Sequence, residues 1–403
     1  MIALRQKIEQ EIRERGPIPF SRYMELCLYD PEFGYYSRNA AQFGKAGDFY
    51  TSSDVHAVFG RLLARQFDEM WRVLGAPEKI AVVELGPGRG LFAQDVLDWS
   101  EKKFPDFFRA LEYVLVERSP ALRQGMQVTL SRHLEFGKAA LSSGGQFFGA
   151  EQAAKIGRGT TSVVPHGAAG ERALAPEVPL IIFANEFFDA LPVEIVSPQG
   201  SLRIDARDGR FVEKWAPSSS EELEFLDRYS IHPEADERVE VQLRAQTHMT
   251  TVAKLKPGFV VVIDYGYTRE EQLAGRHRGT LKAVRQHSVS ENPYEAPGEQ
   301  DITADVNFTA LAAAAERQGM QPQRIITQSQ FLLGIGEANQ FVDAFEECRL
   351  PQERAKVALQ LKHLVTPAGM GESFHVLVTS KGIEREKAAA LSGLSFGANQ
   401  LRR

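Results

Sequence analysis

Two stretches of this chain gather residue types that do chemistry. In VVELGPGRG, Val82 to Gly90, three glycines (Gly86, Gly88 and Gly90) follow a β-branched run that ends in an acid, Glu84. That order predicts a strand entering a tight loop and then a helix, with bare backbone presented to a ligand. In IIFANEFFDALPVE, Asn185, Glu186 and Asp189 come directly after an apolar run. Acids just past the end of a buried strand sit where open α/β sheets bind ligands, and can grip a cation bidentately.

The spacing of the glycines narrows the first ligand. A phosphate-binding P-loop needs Lys-Ser/Thr after its last glycine, where this chain has Leu91-Phe92. A dinucleotide fingerprint needs G-x-G-x-x-G, and its third glycine would fall at Leu91. The pattern is instead E-x-G-x-G-x-G. A second acid, Glu117, ends the strand-like YVLVE, where its carboxylate can accept from both hydroxyls of a ribose. The loop's one base is Arg89. A ribose-bearing ligand without phosphates, carrying cationic groups, suits such a pocket. This constellation resembles class I S-adenosylmethionine-dependent methyltransferases, and S-adenosylmethionine is the expected cofactor rather than NAD.

The elements that must hold these residues are legible in outline. Of 403 residues, 43% are hydrophobic and the net charge is −6, which supports a substantial core and gives no wholesale attraction to nucleic acid. Two cysteines, Cys27 and Cys348, point to a reducing compartment. The N-terminus MIALRQKIEQEIRERG alternates acids and bases without an apolar targeting stretch, and runs such as FVVVI are only strand-sized. A soluble, cytoplasmic protein is expected, with no membrane insertion.

Ile2, Ile8 and Ile12 predict an opening helix that stops at GPIPF, and VFGRLLARQFDEMWRVLG an amphipathic one closing at Gly75. From Ile80, strands alternate with helices: IAVVELG, EYVLVERS, PLIIFAN and KPGFVVVIDYGY predict a parallel α/β sheet. Ser119 is placed to cap the helix that starts at Pro120. Residues 136–177, rich in Gly, Ala and Ser, read as loop. Residues 198–246 read as an insertion with a hairpin turn at Asp208-Gly209, and FHVLVTSKG as a final edge strand.

Several segments in one order, YMELCLYDPEFGYYS, FGKAGDFYTSSDVHAVFG, ELGPGRG, ANEFFDALPVE, IDYGYT, GTLKAVRQHSV and GEQDITADVNFTAL, resemble the MidA family of class I methyltransferases. That family includes a mitochondrial arginine methyltransferase that helps assemble respiratory complex I. The resemblance implies a Rossmann-like, mostly parallel sheet with an N-terminal helical extension and an inserted α+β subdomain. The expected division is 1–75 for the helical region, 76–382 for the core with a lid loop at 267–304, and 383–403 for a tail. The resemblance also implies that Gly47, Asp48, Phe49 and Thr51, in GDFYTSS, lie against the cofactor. The chain departs from the family there, with Ser53-Asp54 where members commonly continue T-S/A-P-E.

An arginine acceptor is always protonated in water, so its site needs acids. Glu186 and Asp189 are the candidates to grip it, with Asn185 orienting; the alternative is that all three cap and complement a following helix. Asp301 is a further candidate to face the pocket, Asp305 reads as a helix cap, and Arg285, His287 and Tyr294 flank the same loop. The nine histidines show no metal-ligand spacing, so no metal is expected. The expected activity is methylation of an arginine on a protein substrate; a homodimer is left open. Two other readings stand beside it, a small-molecule O- or N-methyltransferase and a cofactor-binding assembly chaperone.

Overall fold

A computed structural model of the chain describes residues 2–38, 57–142, 178–254, 258–285, 288–290 and 292–396. Helix Ile2–Arg15 buries Leu4, Ile8 and Ile12, one face at four-residue spacing, and ends at Gly16, whose φ of 79° is left-handed. Strand β1 (Ile18–Pro19) leads into helix Phe20–Tyr29, which buries Phe20, Tyr23, Met24 and Cys27. After a helical turn at Tyr35–Arg38, helix Ala57–Val73 buries Phe59, Leu62, Leu63, Phe67 and Met70.

The α/β unit then runs β2 (Ile80–Leu85), helix Leu91–Lys103, β3 (Leu111–Val116), helix Pro120–Thr129, β4 (Ala139–Ser142) and β5 (Leu180–Asn185). Strands β6 (Glu194–Ser197), β7 (Gly200–Arg207), β8 (Arg210–Ala216) and β9 (Val239–Val241) follow, then helix Leu243–Ala253 and β10 (Gly258–Tyr267). The remaining strands are β11 (Lys282–Arg285), β12 (Ser288–Ser290), β13 (Asp301–Thr303), β14 (Val306–Asn307), β15 (Gln321–Pro322), β16 (Ile326–Thr327) and β17 (Phe374–Lys381).

The central sheet runs β17–β10–β5–β2–β3–β4. The five strands from β10 to β4 are parallel, and β17 is antiparallel to β10. Chain order reverses between β2 and β5: from β2 the sheet grows through β3 to β4, and from β5 it grows the other way to β10. That reversal is the switch point where doubly wound sheets open a ligand crevice. Leu85 pairs with Val116 on one side and Ala184 on the other, and Asn185 pairs with Ile263. β2, β3 and β5 therefore end almost level while β10 runs on to Tyr267, bringing Gly86, Glu117, Glu186 and Asp264 to one rim.

Helices cover both faces, as buried parallel sheets require. On one side Phe59, Phe67 and Phe92 pack on Phe183, with the Phe92 and Phe183 rings stacked at 4.5 Å. On the other, helices Leu243–Ala253 and Phe308–Glu316 pack on Val83, Ile182 and Val262. The inserted hairpin turns through Asp208 and Gly209 with φ of 49° and 70°, both left-handed as a tight two-residue turn demands. Its sheet, order β1–β7–β6–β9 with β8 on β7, takes in the N-terminal β1, so the extension and the insertion share one apolar layer.

Three expectations change. Strand Phe374–Lys381 is not the sheet edge, because β15 and β16 pair along its outer side. Within 136–177, Ala139–Ser142 is a strand paired with β3; residues 143–177 lie outside the described set. The stretch 267–304 is more than a loop: β11, β12 and β13 form a small antiparallel sheet, and Ala283 and Ile302 are buried against the N-terminal helices. Beyond Lys381, Gly393 N–H donates to Gln66 Oε1 at 2.9 Å, so the described end of the chain docks on helix Ala57–Val73. No helix among the described residues is long and apolar enough to cross a membrane.

Candidate active site

The three glycines turn as the sequence predicts, with φ of 64° at Gly86, 54° at Gly88 and 74° at Gly90, a region side chains rarely adopt. Space adds a second reason at two of them. A Cβ on Gly86 would lie 2.9 Å from the Phe187 ring, and one on Gly90 3.1 Å from Met126. At Gly88 it would meet nothing within 4 Å. Gly86 N–H also donates to Val116 O at 3.1 Å, tying the loop to the end of β3.

Gly86 and Gly88 border a cavity of about 320 Å³ at the switch point. Five carboxylates line it, those of Glu84, Glu117, Glu186, Asp189 and Asp301, against two bases, Arg89 and Arg118. Tyr29, Tyr36 and Tyr265 supply aromatic wall.

On the glycine side, Glu84 is buried at the end of β2 and accepts from Tyr113 Oη at 3.0 Å. Burial pushes its carboxyl up to about 8, against the pull of that hydrogen bond. Glu117 sits just past β3 and accepts the Ser119 N–H at 2.7 Å. Burial pushes it up to about 7 even so. Ser119 caps the helix at Pro120 as expected, accepting from Leu122 N–H at 3.4 Å.

On the other side, Asn185 Nδ2 donates to Glu186 Oε1 at 3.1 Å, while Asn185 Oδ1 is buried without a hydrogen-bond partner. Glu186 has φ of 49°, and its N–H donates to Ile263 O at 3.0 Å. Asp189 is buried; desolvation, then the charges of Asp264, Glu186 and Asp301, holds its carboxyl well above the usual range. Asp301 Oδ1 accepts from Tyr36 Oη at 2.8 Å, so the N-terminal extension reaches over the sheet to position an acid at the cavity. Tyr29 Oη likewise donates to Ala190 O at 2.9 Å.

The helix-cap alternative for the acidic loop falls, because a turn, not a helix, follows Asn185. Asp305 is no cap either. Asn307 caps helix Phe308–Glu316 through Ala310 N–H at 2.9 Å, and Asp305 pairs with Lys282 at 2.9 Å and His277 at 3.2 Å. Arg285 pairs with Glu299 and Tyr294 with Glu213, both away from the cavity. Gly47, Asp48, Phe49, Thr51 and His287 lie outside the described residues.

Three residues of the site went unassigned in the sequence: Tyr36, Tyr113 and Asp264. Asp264 had a usable signal, since it is an acid directly after the apolar run FVVVI, as Glu84 and Glu117 follow theirs. Tyr36 and Tyr113 carried none, because their partners lie 265 and 29 positions away.

The donor set fits S-adenosylmethionine. Its ammonium and ribose hydroxyls are hydrogen-bond donors, and the walls offer acceptors: Glu84, Glu117 and the unpartnered Asn185 Oδ1. No group of three or more metal-binding side chains occurs among the described residues.

Residues 62–326 match the model of a family described as S-adenosyl-L-methionine-dependent methyltransferase. The chain belongs to this family, the MidA methyltransferases. Among relatives, the mitochondrial protein arginine methyltransferase NDUFAF7 homolog of Drosophila melanogaster is 28% identical over 411 residues, covering 94% of this chain and 85% of its own. The human protein arginine methyltransferase NDUFAF7, mitochondrial, is 29% identical, covering 91% and 80%. A crystal structure from Burkholderia thailandensis bound to S-adenosyl-homocysteine is 28% identical, with a TM-score of 0.78 over 98% of this chain and 95% of that one. The fold is that of S-adenosylmethionine-dependent methyltransferases, and this MidA protein is such an enzyme.

Proposed function

We propose that this MidA methyltransferase acts on an arginine side chain of a protein substrate, with the glycine side of the cavity holding the cofactor and the acidic loop holding the acceptor. The single observation behind this is that Glu186, Asp189 and Asp301 line one cavity. A guanidinium offers five donors in a plane, which three carboxyl groups can accept, and its charge would favour the ionised form of Asp189 that burial and the neighbouring acids disfavour. The names of the Drosophila and human relatives point the same way. A small apolar acceptor would offer these three acids neither a donor nor a positive charge.

On the cofactor side, Glu117 would accept the ribose hydroxyls, the backbone of Gly86 to Gly90 would hold the cofactor, and Glu84 and Asn185 would receive its ammonium. When bound, S-adenosylmethionine supplies a methyl group on a cationic sulfur. The residues of the chain do the rest by alignment. Glu186 and Asp189 hold the guanidinium so that one nitrogen faces the methyl carbon, and draw its positive charge toward the nitrogens they grip. Transfer would form the C–N bond as the methyl carbon's bond to sulfur breaks, leaving that electron pair on a neutral sulfur, and the nitrogen would shed a proton that the Glu186 carboxylate is placed to take.

The test is methylation of arginine-bearing peptides and cell lysate with isotopically labelled cofactor. Label on arginine, lost in Glu186→Gln, supports the reading. Label confined to small metabolites or to lysine overturns it.

A further inference from the structure

Asp264 follows Ile263 in β10 and is completely buried, outside the cavity lining. One of its oxygens, Oδ2, accepts three successive backbone N–H groups: Phe187 at 3.1 Å, Phe188 at 2.8 Å and Asp189 at 3.3 Å. These are the residues directly after Glu186, whose φ of 49° is a conformation non-glycine residues keep only where the surroundings impose it. The Glu186 N–H is tied in turn to Ile263 O, the residue before Asp264. Two adjacent residues of β10 thus fix four consecutive N–H groups of the acidic turn.

We propose that Asp264 is a positioning residue for methyl transfer: by gathering three N–H groups onto one oxygen it clamps the turn that keeps Glu186 left-handed, and so sets where the Glu186 and Asp189 carboxylates meet the acceptor. This rests on the reading above that those two acids face the acceptor. Asp264 does not line the cavity and acts through the turn. The clamp needs an oxygen acceptor more than a charge. Burial and the neighbouring Glu186 charge hold the Asp264 carboxyl well above its usual range, although the three N–H groups pull it down.

The experiment compares Asp264→Ala, Asp264→Asn and Asp264→Glu in the full chain. Three quantities are read: kcat on whatever acceptor the wild type methylates, S-adenosylmethionine affinity by calorimetry, and amide hydrogen exchange at Phe187 to Asp189. Alanine removes the acceptor oxygen: kcat falls at least about a hundredfold, the three amides exchange faster, and cofactor affinity stays within about threefold. Asparagine keeps an oxygen, so kcat returns to within about tenfold of wild type and the amides regain protection. Should the alanine protein not fold, glutamate decides: it keeps the carboxyl group but pushes the oxygen out by one methylene, and falls about a hundredfold where asparagine does not.

The role is overturned if the amides loosen while kcat holds, if asparagine is as impaired as alanine or glutamate, or if cofactor affinity falls in step with kcat. Because every value is a ratio to wild type on the same acceptor, a wild type that ignores arginine refutes the acceptor assignment and leaves these ratios readable.

Discussion

The pH dependence of cofactor affinity is the sharpest consequence of the Glu117 environment. With its carboxyl pushed up to about 7, Glu117 in the free protein is protonated at pH 6 and ionised at pH 8. The ionised fraction is roughly one in eleven at pH 6 and ten in eleven at pH 8, a ratio of about ten. Ribose hydroxyls that donate to a carboxylate select the ionised form. Affinity for S-adenosylmethionine should therefore rise about tenfold between those pH values, with a proton released on binding. Glu117→Gln removes the charge and one of the two acceptor oxygens. A hydrogen bond to a charged group contributes about 1.5–3 kcal/mol, so at pH 8 the variant should bind roughly 30-fold more weakly. At pH 6 the wild type has largely lost the same charge, and the gap should shrink to about threefold. Isothermal titration of both proteins across this range gives the wild-type to variant ratio, in which the titration of Glu84 cancels. A ratio that stays flat with pH, or lies within twofold of unity at pH 8, refutes the ribose role of Glu117.

Four further outcomes follow from the same geometry. Glu186→Gln and Asp189→Asn should each lower methylation about a hundredfold or more while cofactor affinity stays within a few fold, separating acceptor from cofactor residues by kinetics and calorimetry. Gly88→Ala should weaken cofactor binding with a stability loss of only about 1 kcal/mol, from its left-handed backbone alone; Gly86→Ala should lose both, since its Cβ also meets Phe187. For Glu84, the folded value near 8 lies above the ordinary 4.5, so the unfolded chain ionises first. Without ligand, stability should fall as pH rises from about 4.5 to 8, by on the order of a few kcal/mol, and denaturant titrations of Glu84→Gln should lack that slope. Tyr36→Phe should lower activity about tenfold through Asp301 while leaving the fold intact by circular dichroism, because one hydroxyl donor to a buried acid contributes about 1–2 kcal/mol.

Much of the site was legible because its signals are local. A β-branched run into E-x-G-x-G-x-G dictates strand, loop and helix within eleven residues, and positive φ at all three glycines follows from the same pattern. The acids at Glu117, Glu186 and Asp189 were recognisable because the first two directly follow buried strands and the third lies in the loop just beyond one, and strand ends in such sheets meet ligands. The Asp208-Gly209 turn and the Ser119 cap are equally short-range. The strand Ala139–Ser142 escaped because four small, weakly apolar residues carry little periodicity; pairing with β3 makes it a strand. Asp305 was misread as a cap because spacing alone cannot tell an N-cap from an acid held two residues earlier by Lys282 and His277.

By itself the sequence determined the local grammar of this enzyme: where strands stop, where the backbone must turn left-handed, and which acids stand at those ends. Those features depend on side-chain volume, φ preference and alternation within a few residues. Only the tertiary structure decided which ends meet. Level registry of β3, β2, β5 and β10 brings Glu117 and Glu186 to one rim. Asp264 then reaches amides 75 to 77 positions away, and Tyr36 reaches Asp301 across 265. Such contacts form only when the sheet closes and the N-terminal layer folds over it, because hydrogen-bond partners that far apart in sequence are chosen by packing and not by neighbouring residues.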